Sequence, residues 1–226
     1  MTITVFEELE QGSDEWLSAR SGLLTASEMK LILTPTLKPA KNEKEKTHLF
    51  ELLAQRLNNH VEPQYITSDM LRGHEEEMLA RELYADKYAP VKEVGFITND
   101  RWGFTIGYSP DGLVYDNGLI ECKSRRQKYQ VQTIIQNAVP EEYWLQVQTG
   151  LLVSEREWLD YVSYSNGMPM FTLRAYPHRE TQDAIVEAAE AFEERLAKAK
   201  HDYLNNLNPP ARAVPTERRV IQEMFT

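Results

Sequence analysis

Two short segments decide the fold. The first reads Tyr108-Ser109-Pro110-Asp111-Gly112, and the second reads Ile120-Glu121-Cys122-Lys123. Between them lies Asn117-Gly118, the dipeptide typical of a tight β-hairpin with positive φ at the centre of its turn. The two segments are therefore predicted to pair as neighbouring antiparallel strands.

The predicted hairpin brings Asp111 alongside the strand that bears Glu121 and Lys123. Side chains alternate along a strand, so Glu121 and Lys123 share one face while Ile120 and Cys122 point into a core. Two carboxylates are the minimal pair of hard oxygen ligands for Mg²⁺, which takes substrate phosphate oxygens as further ligands. A Glu-x-Lys alone is usually a solvated pair on a strand. With a carboxylate across the hairpin, it predicts metal-assisted cleavage of a phosphodiester.

With these residues the chain resembles the PD-(D/E)xK nucleases, and more closely the phage lambda exonuclease type, the YqaJ-like viral recombinases. Three further blocks carry the resemblance in the family's order: the R-S-G-L-L-T-A-S-E run at 20–28, the G-H-E-E-E run at 73–77 and the L-Q-V-Q run at 145–148. The resemblance implies an α/β fold with a restriction-endonuclease-like core, a mixed central β-sheet flanked by helices. Residues 1–208 are expected to form a single nuclease domain, and 209–226 a C-terminal arm that contacts another subunit or a partner.

The resemblance also implies an activity. The expected enzyme is a Mg²⁺-dependent, alkaline-type exonuclease that digests linear double-stranded DNA processively from 5′ to 3′. It would release 5′-mononucleotides and leave 3′ single strands for annealing-type recombination. Two readings stay open beside it: a structure- or site-specific endonuclease of the same superfamily, which would cut closed circles, and a non-catalytic protein that binds DNA ends. A Ser-His-Asp hydrolase finds no support, because none of the five histidines has a suitable neighbourhood in the sequence.

The resemblance assigns the catalytic residues one by one. Two Mg²⁺ ions per active site, about 3.5 to 4 Å apart, are expected, and Mn²⁺ is expected to substitute. Lys123 is expected to act beside the attacking water, with Gln146 positioning it. The expected metal ligands are three carboxylates and one backbone carbonyl: Asp111, Glu121, Glu77 and the carbonyl of Cys122.

The 20–28 block suggests an anion site, because a guanidinium, hydroxyls and backbone amides at a helix N-terminus are phosphate donors. From sequence alone, helix capping by Thr25 and Ser27 is the more common interpretation. By resemblance, Arg20, Ser27 and Ser109 hold the 5′-terminal phosphate, with Thr25 as a weaker candidate. Met70 matches the apolar residue that wedges apart the terminal base pair, although a core methionine is an equally good interpretation.

The acidic run at 75–77 leaves its metal ligand ambiguous. On a helical wheel, Leu71, Met78 and Leu79 define an apolar stripe with Leu83, and Glu75 falls within that stripe. Periodicity therefore favours Glu75. The family places its acid four residues after the glycine, which favours Glu77. We choose Glu77 and keep Glu75 as the alternative.

Composition limits the partners. The chain has 226 residues and a formal net charge of -10. Its single cysteine excludes a disulfide framework and a four-cysteine cluster. DNA must then meet a local basic surface, for which Lys123, Arg125, Arg126 and Lys128 are candidates. No signal peptide or membrane segment is recognisable, so a bacterial cytoplasm, with a phage or prophage origin, is expected. By resemblance the partners are 5′-phosphorylated ends of double-stranded DNA, two further copies in a ring-shaped homotrimer, and a single-strand annealing protein.

Periodicity and capping residues predict the elements. Ser13 or Asp14 caps a first helix, and a second runs from 25–27 to the residues before Pro35. A basic, mobile loop is expected at 34–46. Further helices are predicted at 47–59, 68–88, 127–137, 141–153 and 180–205. Strands are predicted at 91–97, 103–109, 112–115, 119–123, 158–163 and 170–176.

Overall fold

The hairpin that anchors the sequence prediction is present, with a different turn. The computed structural model describes residues 2–62, 67–208 and 212–218. Val114 pairs with Gly118, so the loop is 115–117, and the left-handed residue is Tyr115 (φ 50°) rather than the predicted turn centre at 117–118. Gly118 is required for another reason: a Cβ there would lie 2.1 Å from the ring of Trp158.

Nine strands and seven α-helices follow one another along the described chain. The strands are β1 (Ile3–Phe6), β2 (Leu24–Thr25), β3 (Val91–Lys92), β4 (Phe96–Asn99), β5 (Ile106–Tyr108), β6 (Gly112–Val114), β7 (Gly118–Ser124), β8 (Trp158–Tyr164) and β9 (Phe171–Ala175). The helices are α1 (Asp14–Arg20), α2 (Met29–Ile32), α3 (Glu43–Asn58), α4 (Ser68–Lys87), α5 (Gln127–Gln136), α6 (Glu141–Ser154) and α7 (Arg179–Asn206), and a 3₁₀ turn spans Ala26–Glu28.

The strands form two mixed sheets flanked by helices, which confirms the predicted α/β fold. The five-stranded sheet has the order β3-β6-β7-β8-β9, and only β7 and β8 run parallel. The four-stranded sheet has the order β1-β4-β5-β2, with β2 and β5 parallel. The single strand predicted at 91–97 is two strands in different sheets. The break falls beside Gly95, where a Cβ would lie 2.0 Å from the carbonyl oxygen of Leu9.

Two apolar clusters hold these layers together. The larger is formed by the helices α2, α3, α6 and α7 with strands of both sheets. The smaller lies between α4 and the strands β7 and β8, and it contains Ile120 and Cys122. These two side chains therefore point into a core, as the alternation along β7 predicts, while Glu121 and Lys123 face the opposite side.

The predicted apolar stripe of α4 is wrong, because the helix docks through its other face. Leu71, Met78 and Leu79 are 56%, 42% and 47% exposed, whereas Ala80 and Tyr84 are fully buried against β7 and β8. Small Ala80 allows a close approach to the sheet. The hydroxyl of Tyr84 donates a 2.6 Å hydrogen bond to Asp160 on β8, which fixes the rotation of the helix.

The boundary between the predicted loop and α3 changes. Asn42 caps α3 by accepting from the amides of residues 44 and 45, so the helix starts at Glu43 and the loop predicted at 34–46 ends at 42. Within that loop, Thr34 forms hydrogen bonds of 2.9 Å with Lys38. The short edge strands β1 and β2 were not predicted. Ser13 caps α1 as expected.

Most of the predicted C-terminal arm at 209–226 lies outside the described residues, which here include only 212–218. Among the described residues, no helix has the length and apolar content needed to span a bilayer.

Candidate active site

One cavity of about 180 Å³ collects most of the predicted site residues. It lies between α1, the 3₁₀ turn, α4, the loop that joins β5 to β6, β7 and α6. The predicted residues that line it are Arg20, Ser27, Glu77, Ser109, Asp111, Glu121, Lys123 and Gln146. Gln11, Trp16, Ala26 and Tyr108 complete the lining.

The hairpin brings Asp111 to the strand that carries Glu121, as its spacing predicts. Asp111 Oδ2 accepts a 2.6 Å hydrogen bond from the backbone N–H of Cys122. Glu121 is almost fully buried, and its two oxygens have different partners. Oε1 accepts from Lys123 Nζ at 2.6 Å and from Gln146 Nε2 at 2.5 Å.

The partner of Glu121 Oε2 is Tyr108, whose hydroxyl donates to it at 2.7 Å. Burial and the charge of Glu121 raise the pKa of Tyr108 well above its ordinary value, so the phenol keeps its proton. Gln146 thus contacts Glu121 rather than Lys123, the residue that it was expected to position.

The carboxylates of the cavity repel one another. Burial, followed by the charge of Glu121, raises the pKa of Asp111 to about 8. Burial also raises the pKa of Glu77, although Lys123 opposes the effect. For Lys123, burial alone would lower the pKa, but the charges of Glu121, Asp111 and Glu77 outweigh it and raise the pKa well above its ordinary value. Lys123 is therefore an ammonium group.

Of the two acids left open on α4, only Glu77 reaches the cavity. Its Oε1 lies 3.9 Å from Lys123 Nζ, whereas Glu75 is exposed on the other side of the helix. The intervening Glu76 ties α4 to β7, since it accepts from Ser124 Oγ at 2.6 Å and from Arg72 at 3.0 Å. This pair of hydrogen bonds holds Glu77 over the end of β7.

The opposite wall of the cavity is a guanidinium site. Arg20 Nη1 donates to Ser109 Oγ at 2.9 Å, and the guanidinium lies 4.2 Å from the centre of the Trp16 ring. Trp16 Nε1 also donates to Ser109 Oγ, at 3.0 Å. Burial lowers the pKa of Arg20, and Glu28 opposes this effect. Ser27 lines the cavity beside this group.

Thr25 and Met70 lie outside the cavity lining. Thr25 is buried, and its hydroxyl donates to Glu28 Oε2 at 2.6 Å, so it supports the wall from behind. Its side chain does not cap the 3₁₀ turn, which removes the capping interpretation for Thr25. Met70 is half exposed in the first turn of α4 and is not a core methionine.

The predicted basic cluster after Lys123 is only partly at the surface. Arg125 is buried: its guanidinium pairs with Glu142 and lies 5.1 Å and 5.2 Å from the rings of Tyr129 and Tyr143. It therefore packs α5 and α6 against the end of β7 and does not offer its charge to solvent. Arg126 and Lys128 are exposed.

The donors present fit a divalent cation. Carboxylate oxygens of Asp111, Glu121 and Glu77 face one cavity, and hard oxygen ligands of this kind suit Mg²⁺. Burial and the neighbouring charge of Glu121 raise the pKa values of Asp111 and Glu77, and a bound cation would stabilise their charged forms. Among the described residues, no three acidic, histidine or cysteine side chains converge as a preformed metal site. Instead, Lys123 and Gln146 donate hydrogen bonds to Glu121, and the Cys122 amide donates one to Asp111.

Sequence reasoning did not identify four residues of the cavity lining: Gln11, Trp16, Ala26 and Tyr108. Trp16 and Tyr108 matter most, because both form hydrogen bonds to predicted site residues. Neither has a sequence signal of its own, because each contact depends on how distant segments meet. Trp16 reaches Ser109 across 93 positions of sequence.

Comparisons with known proteins identify relatives of this arrangement. The sequence pattern of the YqaJ-like viral recombinase domain matches residues 15–157. Among solved structures, an alkaline exonuclease (LHK-Exo) from Laribacter hongkongensis is similar, with 32% identity and a TM-score of 0.75. The match covers 86% of this chain and 97% of that one. Its complex with dAMP gives 33% identity, the same coverage and the same TM-score.

A more distant structure shares the fold alone. A phage related exonuclease from Haemophilus somnus 129PT matches with 14% identity and a TM-score of 0.56, over 78% of this chain and 96% of that one. A search of curated proteins found no significant match.

Proposed function

Because the chain belongs to the YqaJ-like viral recombinase family, we propose that it is a Mg²⁺-dependent exonuclease that degrades double-stranded DNA from 5′-phosphorylated ends, in the 5′-to-3′ direction. Exonuclease activity itself is supported by the family and by the similarity to an alkaline exonuclease. The direction, the metal and the end preference are the parts that this proposal adds.

The proposal depends on the presence of two kinds of chemistry in one cavity. Asp111, Glu121 and Lys123 suit cleavage of a phosphodiester, while Arg20 and Ser109 suit capture of a terminal phosphate. A closed circle has no terminal phosphate, so the second group would be idle in an endonuclease. The combination therefore favours a substrate with a free 5′ end.

The protein's own residues would do three things. Arg20 and Ser109 would bind the 5′-phosphate, which sets the scissile bond over the carboxylates. Lys123, as an ammonium, would hold the attacking water and offset the negative charge that develops on the phosphate. Gln146, by holding Glu121 Oε1, would keep Lys123 and Glu121 in one arrangement.

The carboxylates and the Cys122 carbonyl would hold two divalent cations, Mg²⁺ or Mn²⁺. When bound, such ions supply polarisation of the phosphate and a lower pKa for water. Met70, half exposed at the start of α4, is the candidate for separating the terminal base pair. The released products would be 5′-mononucleotides, and the remaining 3′ strand would go to a single-strand annealing protein in a bacterial cytoplasm.

The direct test is digestion of three substrates with Mg²⁺: a linear duplex with a 5′-phosphate, the same duplex with a 5′-hydroxyl, and a covalently closed circle. We expect fast loss of the phosphorylated strand, slower loss of the hydroxyl form and an intact circle. Lys123→Ala should abolish digestion. Lys87 is exposed at the end of α4, so Lys87→Ala should retain it.

Arg20→Ala tests the end-phosphate site separately. Charge-assisted hydrogen bonds contribute about 1.5–3 kcal/mol, so the preference for the phosphorylated duplex should fall about 10- to 100-fold. A cut circle would contradict the proposal and favour the endonuclease alternative. Binding of ends without digestion would favour a non-catalytic end-binding protein.

A further inference from the structure

A glycine in the middle of a buried helix needs an explanation. Gly150 lies inside α6, where glycine is less favourable than alanine by about 1 kcal/mol. A Cβ at this position would lie 2.7 Å from Cζ of Tyr108 and 2.9 Å from its Cε1. These distances are too short for real contacts. The missing side chain is therefore what lets the Tyr108 ring lie directly on the backbone of α6.

Tyr108 uses this space to bridge the two sheets. It belongs to β5 in the four-stranded sheet, and its ring is fully buried. Its hydroxyl crosses to the five-stranded sheet and donates a 2.7 Å hydrogen bond to Glu121 Oε2 on β7. The ring and its hydroxyl thus join α6, β5 and the carboxylate at the centre of the cavity.

This hydrogen bond fixes how the Glu121 carboxylate is turned. The terminal torsion of a glutamate is soft, so a carboxylate bound at one oxygen can rotate. Tyr108 donates to Oε2, while Lys123 and Gln146 contact Oε1. Without the phenol, Oε2 would lose this donor in a buried environment, and the carboxylate could turn away from the cavity.

We propose that Tyr108 is a positioning residue that sets Glu121 for cation binding, and that Gly150 is the position that admits it. The inference rests on the proposed function, because it takes Glu121 as a cation ligand. Groups that hydrogen-bond to a metal ligand typically change metal affinity or activity by 10- to 100-fold when removed. Tyr108→Phe removes only the hydroxyl and keeps the ring that fills the space above Gly150.

The chain offers a matched control in Tyr161. This residue is fully buried in β8, directly beside Glu121 in the sheet, and its hydroxyl has no hydrogen-bond partner among the described residues. Tyr161→Phe therefore removes a buried phenol hydroxyl near the site without removing a contact to Glu121.

The experiment measures Mn²⁺ affinity of the full-length protein by electron paramagnetic resonance, without DNA. Tyr108→Phe should weaken Mn²⁺ binding about 10- to 100-fold, and Tyr161→Phe should change it less than about twofold. Raising the Mg²⁺ concentration should restore DNA digestion by Tyr108→Phe, a rescue that a general packing defect would not give. Melting temperatures of both variants check that they are folded.

Gly150→Ala is a second, independent variant. Its Cβ should displace the Tyr108 ring and weaken Mn²⁺ binding in the wild-type background. Adding it to Tyr108→Phe should cause no further weakening, because the hydrogen bond that it breaks is already absent. This non-additivity would support the inference that Gly150→Ala weakens Mn²⁺ binding by displacing the Tyr108 hydroxyl.

Two outcomes would contradict the inference, and they can be told apart. If the wild-type protein binds Mn²⁺ and Tyr108→Phe binds it equally well, the positioning role is overturned and the metal site stands. If the wild-type protein does not bind Mn²⁺, the proposed metal-dependent function is overturned, and the inference with it.

Discussion

Asp111 shows how the cavity balances charge at the level of single residues. It shares a buried space with two other carboxylates and one ammonium, and its pKa is raised to about 8 by burial and by Glu121. Without a cation, Asp111 is therefore largely protonated at neutral pH. The charged form, which a metal requires, becomes the main form only in alkaline solution.

This raised pKa predicts that metal affinity depends on pH. A cation binds the deprotonated carboxylate, so below pH 8 it must displace a proton. The apparent affinity for Mn²⁺ should rise up to about tenfold per pH unit between pH 6 and 8, and then level off. Titration calorimetry at several pH values measures this. Asp111→Asn should give weaker and flatter binding, whereas equal wild-type affinity at pH 6 and pH 8 would contradict the prediction.

At the scale of elements, α4 determines which acid enters the site. Its docking face carries Ala80 and Tyr84, one and two turns beyond Glu77, and so turns Glu77 toward the cavity. Glu75 points to solvent on the opposite face. The helix is held at two places, by the contact of Glu76 with Ser124 and by that of Tyr84 with Asp160.

Glu75, on the same helix, provides a control for the role of Glu77 as a metal ligand. Glu77→Ala should lower DNA digestion more than about a hundredfold, because a ligand to the catalytic metal would be lost and metals contribute several kcal/mol to such reactions. Glu75→Ala should stay within about twofold of the wild type, because that side chain is solvated. Initial rates on the phosphorylated duplex measure both. Loss of activity in Glu75→Ala alone would overturn our assignment.

At the scale of the whole molecule, the negative net charge of the protein opposes the binding of DNA. The net charge of -10 repels DNA, while Lys123 and Arg20 are partly buried in the cavity and Arg125 is neutralised by Glu142. Arg126 and Lys128 are exposed near the cavity, but they act against the acidic charge of the rest of the chain. A closed ring would retain DNA by enclosing it, and we therefore propose the processive homotrimer that the family resemblance implies.

Assembly is directly measurable. Light scattering of the purified protein should give three times the 26.2 kDa mass of the chain. Digestion with an excess of unlabelled competitor DNA added after the start should continue to the end of the labelled duplex, because an enclosed strand does not dissociate. A mass of one chain, or immediate arrest by the competitor, would remove the ring from the proposal.

The sequence predicts the site best where the chemistry is local. The hairpin spacing places Asp111 beside the strand of Glu121 and Lys123, because the pairing of adjacent strands is determined by a short turn. The predicted type of turn was wrong. Gly118 is needed because the Trp158 ring packs against it, and not because the turn requires a glycine. Long helices were predicted well for the same reason: their periodicity is a property of neighbouring residues.

Prediction is weaker where distant segments meet. Hydrophobic periodicity selected the wrong face of α4, because the docking face is built from small and polar residues while leucines remain at the surface. The contact between Tyr108 and Glu121 joins strands of different sheets, so no pattern in either strand indicates it. The close approach of Gly95 to Leu9, beside the break between β3 and β4, likewise joins distant segments and has no signal in the sequence.

The order of the elements along the chain has a consequence for synthesis. The helix α4 leaves the ribosome before β7 and β8, the strands on which it docks. Gln146, on the still later α6, reaches Glu121 only after both partners exist. The nascent protein therefore carries Arg20 and Glu77 before the last residue of the cavity lining, Gln146, has been made. The complete cavity can assemble only in the later part of translation.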